Sequence, residues 1–210
     1  MNSDSPLVFV VDDDQRVREA LSSLISSAGL QVAVFGSAAE FLEFERPEVP
    51  GCLVLDLQLP GTTGLELQQQ LLTGDTPPIV FISGHGDIPS SVRAIKAGAI
   101  EFLPKPFDDQ ELLRAIHAAI DQDRIARQKR SELAELQRHY NLLTPREREV
   151  LPFVVAGFAN KQTGADLGTS EITIGVHRGQ IMRKMGAKSL ADLVRMADQL
   201  GIARPAGQSK

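Results

Sequence analysis

Asp12, Asp13 and Asp56 offer the most chemistry in this chain, because each stands at the end of a short apolar run. Leu7 to Val11 runs into Asp12, Asp13 and Asp14. Cys52 to Leu55 runs into Asp56, within Cys-Leu-Val-Leu-Asp-Leu-Gln-Leu-Pro-Gly. Ile79 to Ile82 ends in Ser83, and Ile100 to Leu103 is followed by Pro104-Lys105-Pro106. Runs of this kind read as strands of a parallel sheet, whose C-terminal ends share one edge. That edge would carry an acid pair, a lone acid, a hydroxyl and an ammonium. Carboxylates brought together repel, and one is driven towards its protonated form unless a cation intervenes. Mg²⁺ suits the set, since it takes a few carboxylates, keeps waters and binds phosphate oxygens. Asp56 can then attack a phosphoryl group and hold it as an aspartyl phosphate. The cation and Lys105 would neutralise the equatorial oxygens. Ser83 would donate to a phosphoryl oxygen and report that it has arrived.

Some neighbouring groups have plainer readings. Asp14 reads as the N-cap of the first helix. Two flanking prolines fix the backbone that aims Lys105, and a cis bond before Pro106 is available. Gly84-His85-Gly86-Asp87 reads as a loop and helix cap rather than a metal or acid–base pair. Cys52, the only cysteine, excludes an internal disulfide and reads as a buried, inert thiol suited to a reducing compartment. There is no glycine-rich nucleotide loop.

Five buried strands, at 7–11, 30–35, 52–55, 79–82 and 100–103, alternate with helical patterns at 14–28, 37–45, 64–73 and 87–97. Gly29, Gly74 and Gly98 read as helix stops. Such alternation predicts a parallel sheet with helices on both faces. A further helix starts near Asp108 and continues into the polar stretch 121–138. Its apolar positions Ile125, Leu133, Leu136 and Tyr140 suit a plain linker or a dimer stalk equally. Thr144-Pro145-Arg146-Glu147 then spells a capping box, and Ser189 with Asp192 another cap. From here the pattern is helical only, at 145–156, 160–167, 171–185 and 190–200. Pro152 predicts a kink in the first of these. The boundaries are thus a domain at 1–120, a helical linker at 121–142 and a second domain at 143–210.

Charge divides the same way. Residues 1–120 hold seventeen acids and seven bases, net −10; residues 139–210 hold six acids and ten bases, net +4; the chain is −5 overall. A basic rear half suits a polyanion, though +4 is modest. No apolar run reaches the ~18 residues of a membrane span, and the N-terminus lacks a basic signal region. Both features predict a cytoplasmic protein without a membrane partner. Helices 160–167 and 171–185, joined at Gly168, have helix-turn-helix spacing. On the second, Ile174, Ile181 and Met185 share an inward stripe. Ile172, Val176, Gly179 and Arg183 lie opposite, beside Gln180, with Gly175 on one flank and Thr173, His177 and Lys184 on the other. That face can enter a major groove.

Residues 1–120 resemble a response-regulator receiver domain in four segments, all in order: Val-Val-Asp-Asp-Asp, Leu-Asp-Leu-Gln-Leu-Pro-Gly, Ile-Ser-Gly-His-Gly-Asp and Phe-Leu-Pro-Lys-Pro-Phe. The resemblance implies a flavodoxin-like, doubly wound α/β domain with Asp56 as phosphoacceptor. It implies Mg²⁺, or another divalent cation, on Asp12, Asp13, Asp56 and the Gln58 carbonyl, with Asp13 the more direct of the acid pair. Ser83, Lys105 and Phe102 become the switch and phosphate-binding residues, and Val92 and Lys96 the dimer face. Leu143-Thr-Pro-Arg-Glu-Arg-Glu-Val-Leu, Asn160-Lys-Gln and Thr173-Ile-Gly-Val-His-Arg-Gly-Gln-Ile-Met-Arg-Lys-Met185 resemble the LuxR/NarL-type output domain, an all-α four-helix unit. That assigns DNA binding to Lys161, Thr173, Gly175, Val176, His177, Gly179, Gln180, Arg183 and Lys184. Together the two stretches resemble FixJ-type regulators. The implied partners are a sensor histidine kinase, promoter DNA, RNA polymerase and a second copy after phosphorylation. Thr163 and Gly164 replace an apolar residue and alanine of the family, and Gly175 replaces its lysine. The glycine in the helix interior predicts a loss of about 1 kcal/mol relative to alanine. These departures leave room for a weak DNA binder, or for a regulator that binds protein instead. A phosphotransferase enzyme with an aspartyl intermediate usually has a second acid two residues after its nucleophile. Here that position is Gln58, so an enzyme is not expected.

Overall fold

A computed structural model describes residues 5–71, 76–84, 88–203 and 205. It divides into two compact units, 1–127 and 128–210. In the first, strands β1 (Leu7–Val11), β2 (Gln31–Phe35), β3 (Gly51–Asp56), β6 (Ile79–Ser83) and β7 (Glu101–Pro104) form one sheet, in the order β2-β1-β3-β6-β7. Every pairing in it is parallel. Two short strands, β4 (Gln58–Leu59) and β5 (Thr62–Thr63), make a small antiparallel hairpin just past Asp56.

Alternation along the central strands divides the core in two. Val8, Val10, Cys52, Val54, Val80 and Ile82 pack under α1 (Gln15–Ser27) and the first turns of α5 (Asp109–Asn141). Phe9, Val11, Leu53, Leu55, Ile79 and Phe81 pack under α2 (Ala38–Glu43), α3 (Gly64–Leu71) and α4 (Ile88–Lys96). Side chains in a strand point alternately to opposite faces, so a sheet covered on both sides needs apolar residues at every position. That holds for β3 and β6, buried throughout. The outer strands β2 and β7 are only partly buried, contrary to the expectation of five buried strands. Each pairs with a single neighbour, and its outward side faces solvent.

The local signals in the sequence act as read. Asp14 caps α1 by accepting from the Arg16 amide. Gly29 takes φ +79° just past the α1 C-cap, a left-handed conformation that favours glycine. The Lys105–Pro106 bond is cis. Cys52 is fully buried, and its thiol is pushed up by burial and by the charge of Asp123. Gly74, His85 and Asp87 lie outside the described residues.

Helix α5 remains docked to the first unit beyond residue 120. Asp123 is buried and accepts from the Gly51 amide (2.9 Å) and from Arg127 Nε (2.8 Å). A polar stretch that reads as solvated in sequence therefore holds a buried carboxylate, and the packed unit runs to Arg127.

In the second unit, Leu136 and Tyr140 of α5 join a core with α6 (Pro145–Val155), α8 (Glu171–Met185) and α9 (Leu190–Gln199). The capping box at Thr144 and Glu147 is complete, and Ser189 caps α9 by accepting from the Asp192 amide. Pro152 lies inside α6 without ending it. Helix α7 (Asn160–Asp166) precedes α8 across a turn at Gly168. Gly164 is more than a weak helix former here. A Cβ on it would stand 2.7 Å from the Thr169 carbonyl oxygen, so the turn between the two helices closes only over a glycine.

Candidate functional site

The parallel register brings the strand ends of the first unit to one edge. Val11 pairs with Leu55, Asp56 with Ile82, and Ser83 with Pro104. The residues immediately beyond these pairs are Asp12, Asp13 and Lys105. One carboxylate oxygen from each of Asp12, Asp13 and Asp56 lies within 4.8 Å of the other two. Asp12 and Asp56 are buried and Asp13 is exposed, so the cluster opens to solvent on the Asp13 side.

Lys105 lies among these acids. Its Nζ donates to Asp12 Oδ2 (2.7 Å) and to Asp56 Oδ2 (2.6 Å). Burial pulls the ammonium towards neutrality, but the hydrogen bonds it donates to the two carboxylates, and their charges, outweigh it and hold its pKa above the ordinary lysine value. Asp12 is raised above the usual carboxylate range. Burial is the main cause, with Asp56 adding to it, and the Lys105 and Asp14 hydrogen bonds only partly offset the rise. Three carboxylates facing one ammonium leave a negative excess. A hard, oxygen-rich, partly exposed donor set of this charge is compatible with a divalent cation.

The backbone around the acids is fixed by contacts that the sequence reading missed. Arg18 donates through Nη1 to the carbonyls of Asp12 (2.7 Å) and Asp13 (2.9 Å). The free oxygens of the acids are also held: the Asp14 amide donates to Asp12 Oδ1 and the Gln58 amide to Asp56 Oδ1. Gly64, at the start of α3, has no room for a Cβ, which would strike the Asp56 carbonyl and meet Leu57 Cα at 3.1 Å. An arginine in the first turn of an amphipathic helix carries no pattern that marks it as a backbone clamp. Gly64 sits at a helix start, where glycine is unremarkable.

Ser83 is fully buried at the end of β6, and its carbonyl accepts from the Lys105 amide (2.7 Å). Phe102 is partly buried on β7, its ring 6.2 Å from that of Phe81. Val92 and Lys96 are exposed on α4, with Ile88 and Ile95.

On α8, Ile174, Ile181 and Met185 are buried, while Ile172, Thr173, Val176, Gly179 and Arg183 are exposed. Gly175, His177 and Gln180 are intermediate, and Lys161 is exposed on α7. Lys184 is engaged within the unit: its Nζ donates to Glu147 Oε2 (2.7 Å), tying α8 to the cap of α6. Its ammonium is therefore committed to a nearly buried carboxylate, which was not anticipated for a residue expected to flank a DNA face. Arg178, also unanticipated, donates to the Phe158 carbonyl (3.1 Å).

Comparison with known proteins agrees with both units. The response regulator receiver domain matches residues 8–117, and the luxR family of bacterial regulatory proteins matches residues 141–197. Nodulation protein W of Bradyrhizobium diazoefficiens is 50% identical over 202 residues, covering 96% of this chain and 89% of that protein. Response regulator protein TodT of Pseudomonas putida is 48% identical, covering 95% and 88%. The solved structure of the response regulator StyR superposes with a TM-score of 0.83 at 50% identity, over 93% of this chain and 99% of that one. The chain belongs to the response-regulator family, with a receiver domain followed by a LuxR-type DNA-binding domain. Its relatives are transcriptional regulators of two-component systems rather than enzymes. Among the described residues, no helix is long and apolar enough to cross a membrane.

Proposed function

We propose that this regulator is switched by phosphorylation of Asp56, with a sensor histidine kinase as donor and promoter DNA as target. The reading rests on the convergence of Asp12, Asp13 and Asp56 within 4.8 Å beside the Lys105 ammonium. An Asp56 carboxylate oxygen attacks phosphorus while the bond from phosphorus to the donor's histidine nitrogen breaks, and that nitrogen leaves with the electron pair. The product is an aspartyl phosphate. Asp12, Asp13, Asp56 and the Gln58 carbonyl would hold Mg²⁺, which supplies charge neutralisation for the phosphoryl oxygens. Lys105 can pass from its two carboxylates to a phosphoryl oxygen. Ser83 would donate to another, and Phe102 would shift with it.

The same reading assigns 1–120 to the receiver, with its docking helix continuing to Arg127, 121–142 to a helical linker and 143–210 to DNA binding. The exposed apolar residues Ile88, Val92 and Ile95 of α4, with the exposed Lys96 beside them, support a receiver dimer. Lys161, Thr173, Gly175, Val176, His177, Gly179, Gln180 and Arg183 form the DNA face; Lys184 is left to its ion pair. Recruitment of RNA polymerase and a cytoplasmic location complete the reading.

The test is DNA retention by the full chain before and after treatment with acetyl phosphate and Mg²⁺. Treatment should tighten binding in the native protein and leave Asp56→Asn unchanged. An equal response in both would point to another acceptor.

A further inference from the structure

The outward face of α8 has a centre line that is apolar or bare from Ile172 to Gly179, with Arg183 its one charged member. At about 100° per residue, Ile172, Val176, Gly179 and Arg183 fall within about 60° of one another, opposite the buried stripe. Ile172 is 81% exposed, more than any other large apolar side chain among the described residues, and Val176 is 58% exposed. Packing within the unit accounts for neither. A Cβ on Gly179 would meet nothing within 4 Å, and one on Gly175 only Asn160 Nδ2 at 3.5 Å. No side chain at these two positions holds an approaching surface away from the helix.

Several polar groups around this line are held within the unit. The Thr173 hydroxyl shares a hydrogen bond with Ser170 Oγ (2.8 Å), Arg183 donates to Gln180 Oε1, and Lys184 is paired with Glu147. Along the first half of its outward line α8 therefore presents methyl groups on a helix stripped to backbone beside them.

We propose that α8 selects DNA by methyl contact, Ile172 and Val176 lying against thymine 5-methyl groups in the major groove. Gly175 and Gly179 permit the close approach. The proposal rests on the DNA-binding reading above and deepens it. Thymine alone among the four bases carries a methyl in that groove; the others offer polar atoms that an isoleucine or valine would leave unpaired. Two isolated side chains are too small a patch for a protein partner, yet each matches the size of one methyl contact. The exposed cations Lys161 and Lys188, on a segment of net +4, suit phosphate contacts that carry no base identity.

The test uses the full chain, treated with acetyl phosphate and Mg²⁺, to select from a pool of random DNA duplexes. Preferred sequences are then remade with deoxyuridine in place of thymidine, one position at a time. The proposal expects thymines in each half-site and about a fourfold loss of affinity per contacted methyl removed. The double variant Ile172→Ala/Val176→Ala should bind the thymine and uracil duplexes alike, with unchanged far-UV circular dichroism because both side chains lie outside the core. Uracil duplexes bound as tightly as thymine duplexes, or variants that keep the thymine preference, would overturn methyl readout and leave DNA binding intact. A pool yielding no preferred sequence would overturn both.

Discussion

Lys105 occupies the place where the acids most need positive charge, and that sets a competition. Its ammonium holds one oxygen each of Asp12 and Asp56. A divalent cation must share those two carboxylates with it, whereas a transferring phosphoryl group gains from it. Lys105→Met should therefore separate two properties that a loss of folding would abolish together. Divalent-cation affinity, measured by titration calorimetry, should hold or rise. The rate of phosphate incorporation should fall about tenfold or more. A parallel collapse of cation affinity would mean that the lysine organises the carboxylates rather than competing for them. The acids themselves were legible in the sequence, because each follows a run of apolar residues. Lys105 was legible as a cation delivered to the acidic edge, but its bridge between Asp12 and Asp56 was not. Neither was the Arg18 clamp, since contacts between distant segments leave no local periodicity.

Helices and turns carry the second kind of legibility. Caps at Asp14, Thr144 and Ser189 could be read in advance because each depends on side chains within four residues. Gly164 shows where propensity misleads. Read alone it costs stability, and alanine would improve the helix. The Thr169 carbonyl at 2.7 Å reverses the sign. Gly164→Ala should destabilise the second unit by about 1–3 kcal/mol in urea unfolding, the range for overpacking; a gain in stability would show that the turn can yield. Glu147 gives the pH dependence of the same unit. Burial alone would raise its carboxyl, but the Lys184 hydrogen bond and the Thr144 amide outweigh burial and hold it below the ordinary value of 4.5. A depressed carboxyl stabilises the folded state above its unfolded pKa and loses that contribution as pH falls through the folded one. Protection of α6 and α8 amides from hydrogen exchange should therefore drop on acidification below about pH 4.5. Glu147→Gln should be less protected at neutral pH and should converge with the native protein in acid. Two curves that stay parallel would rule out this ion pair as the source.

Over the whole molecule, one chain joins an acidic α/β unit to a smaller helical unit with a basic excess, net −10 over residues 1–120 against +4 over 139–210. The strand-helix alternation, the switch to helices alone after Thr144 and the change in charge sign were all readable, because each repeats over tens of residues. The extent of the first unit was not. One carboxylate in a polar stretch, Asp123, docks α5 onto the start of β3, and composition does not distinguish it from its solvated neighbours. The family's regulatory role requires chemistry in one unit to be felt in the other, and that chemistry is assigned to a single side chain. Reduction of an aspartyl phosphate by borohydride converts that residue to homoserine, so peptide mass spectrometry of the full chain after acetyl phosphate, Mg²⁺ and borohydride locates the acceptor directly. Homoserine should be found at position 56 and at no other aspartate. Conversion at Asp12 or Asp13, or none anywhere in protein that binds the cation, would contradict the assignment.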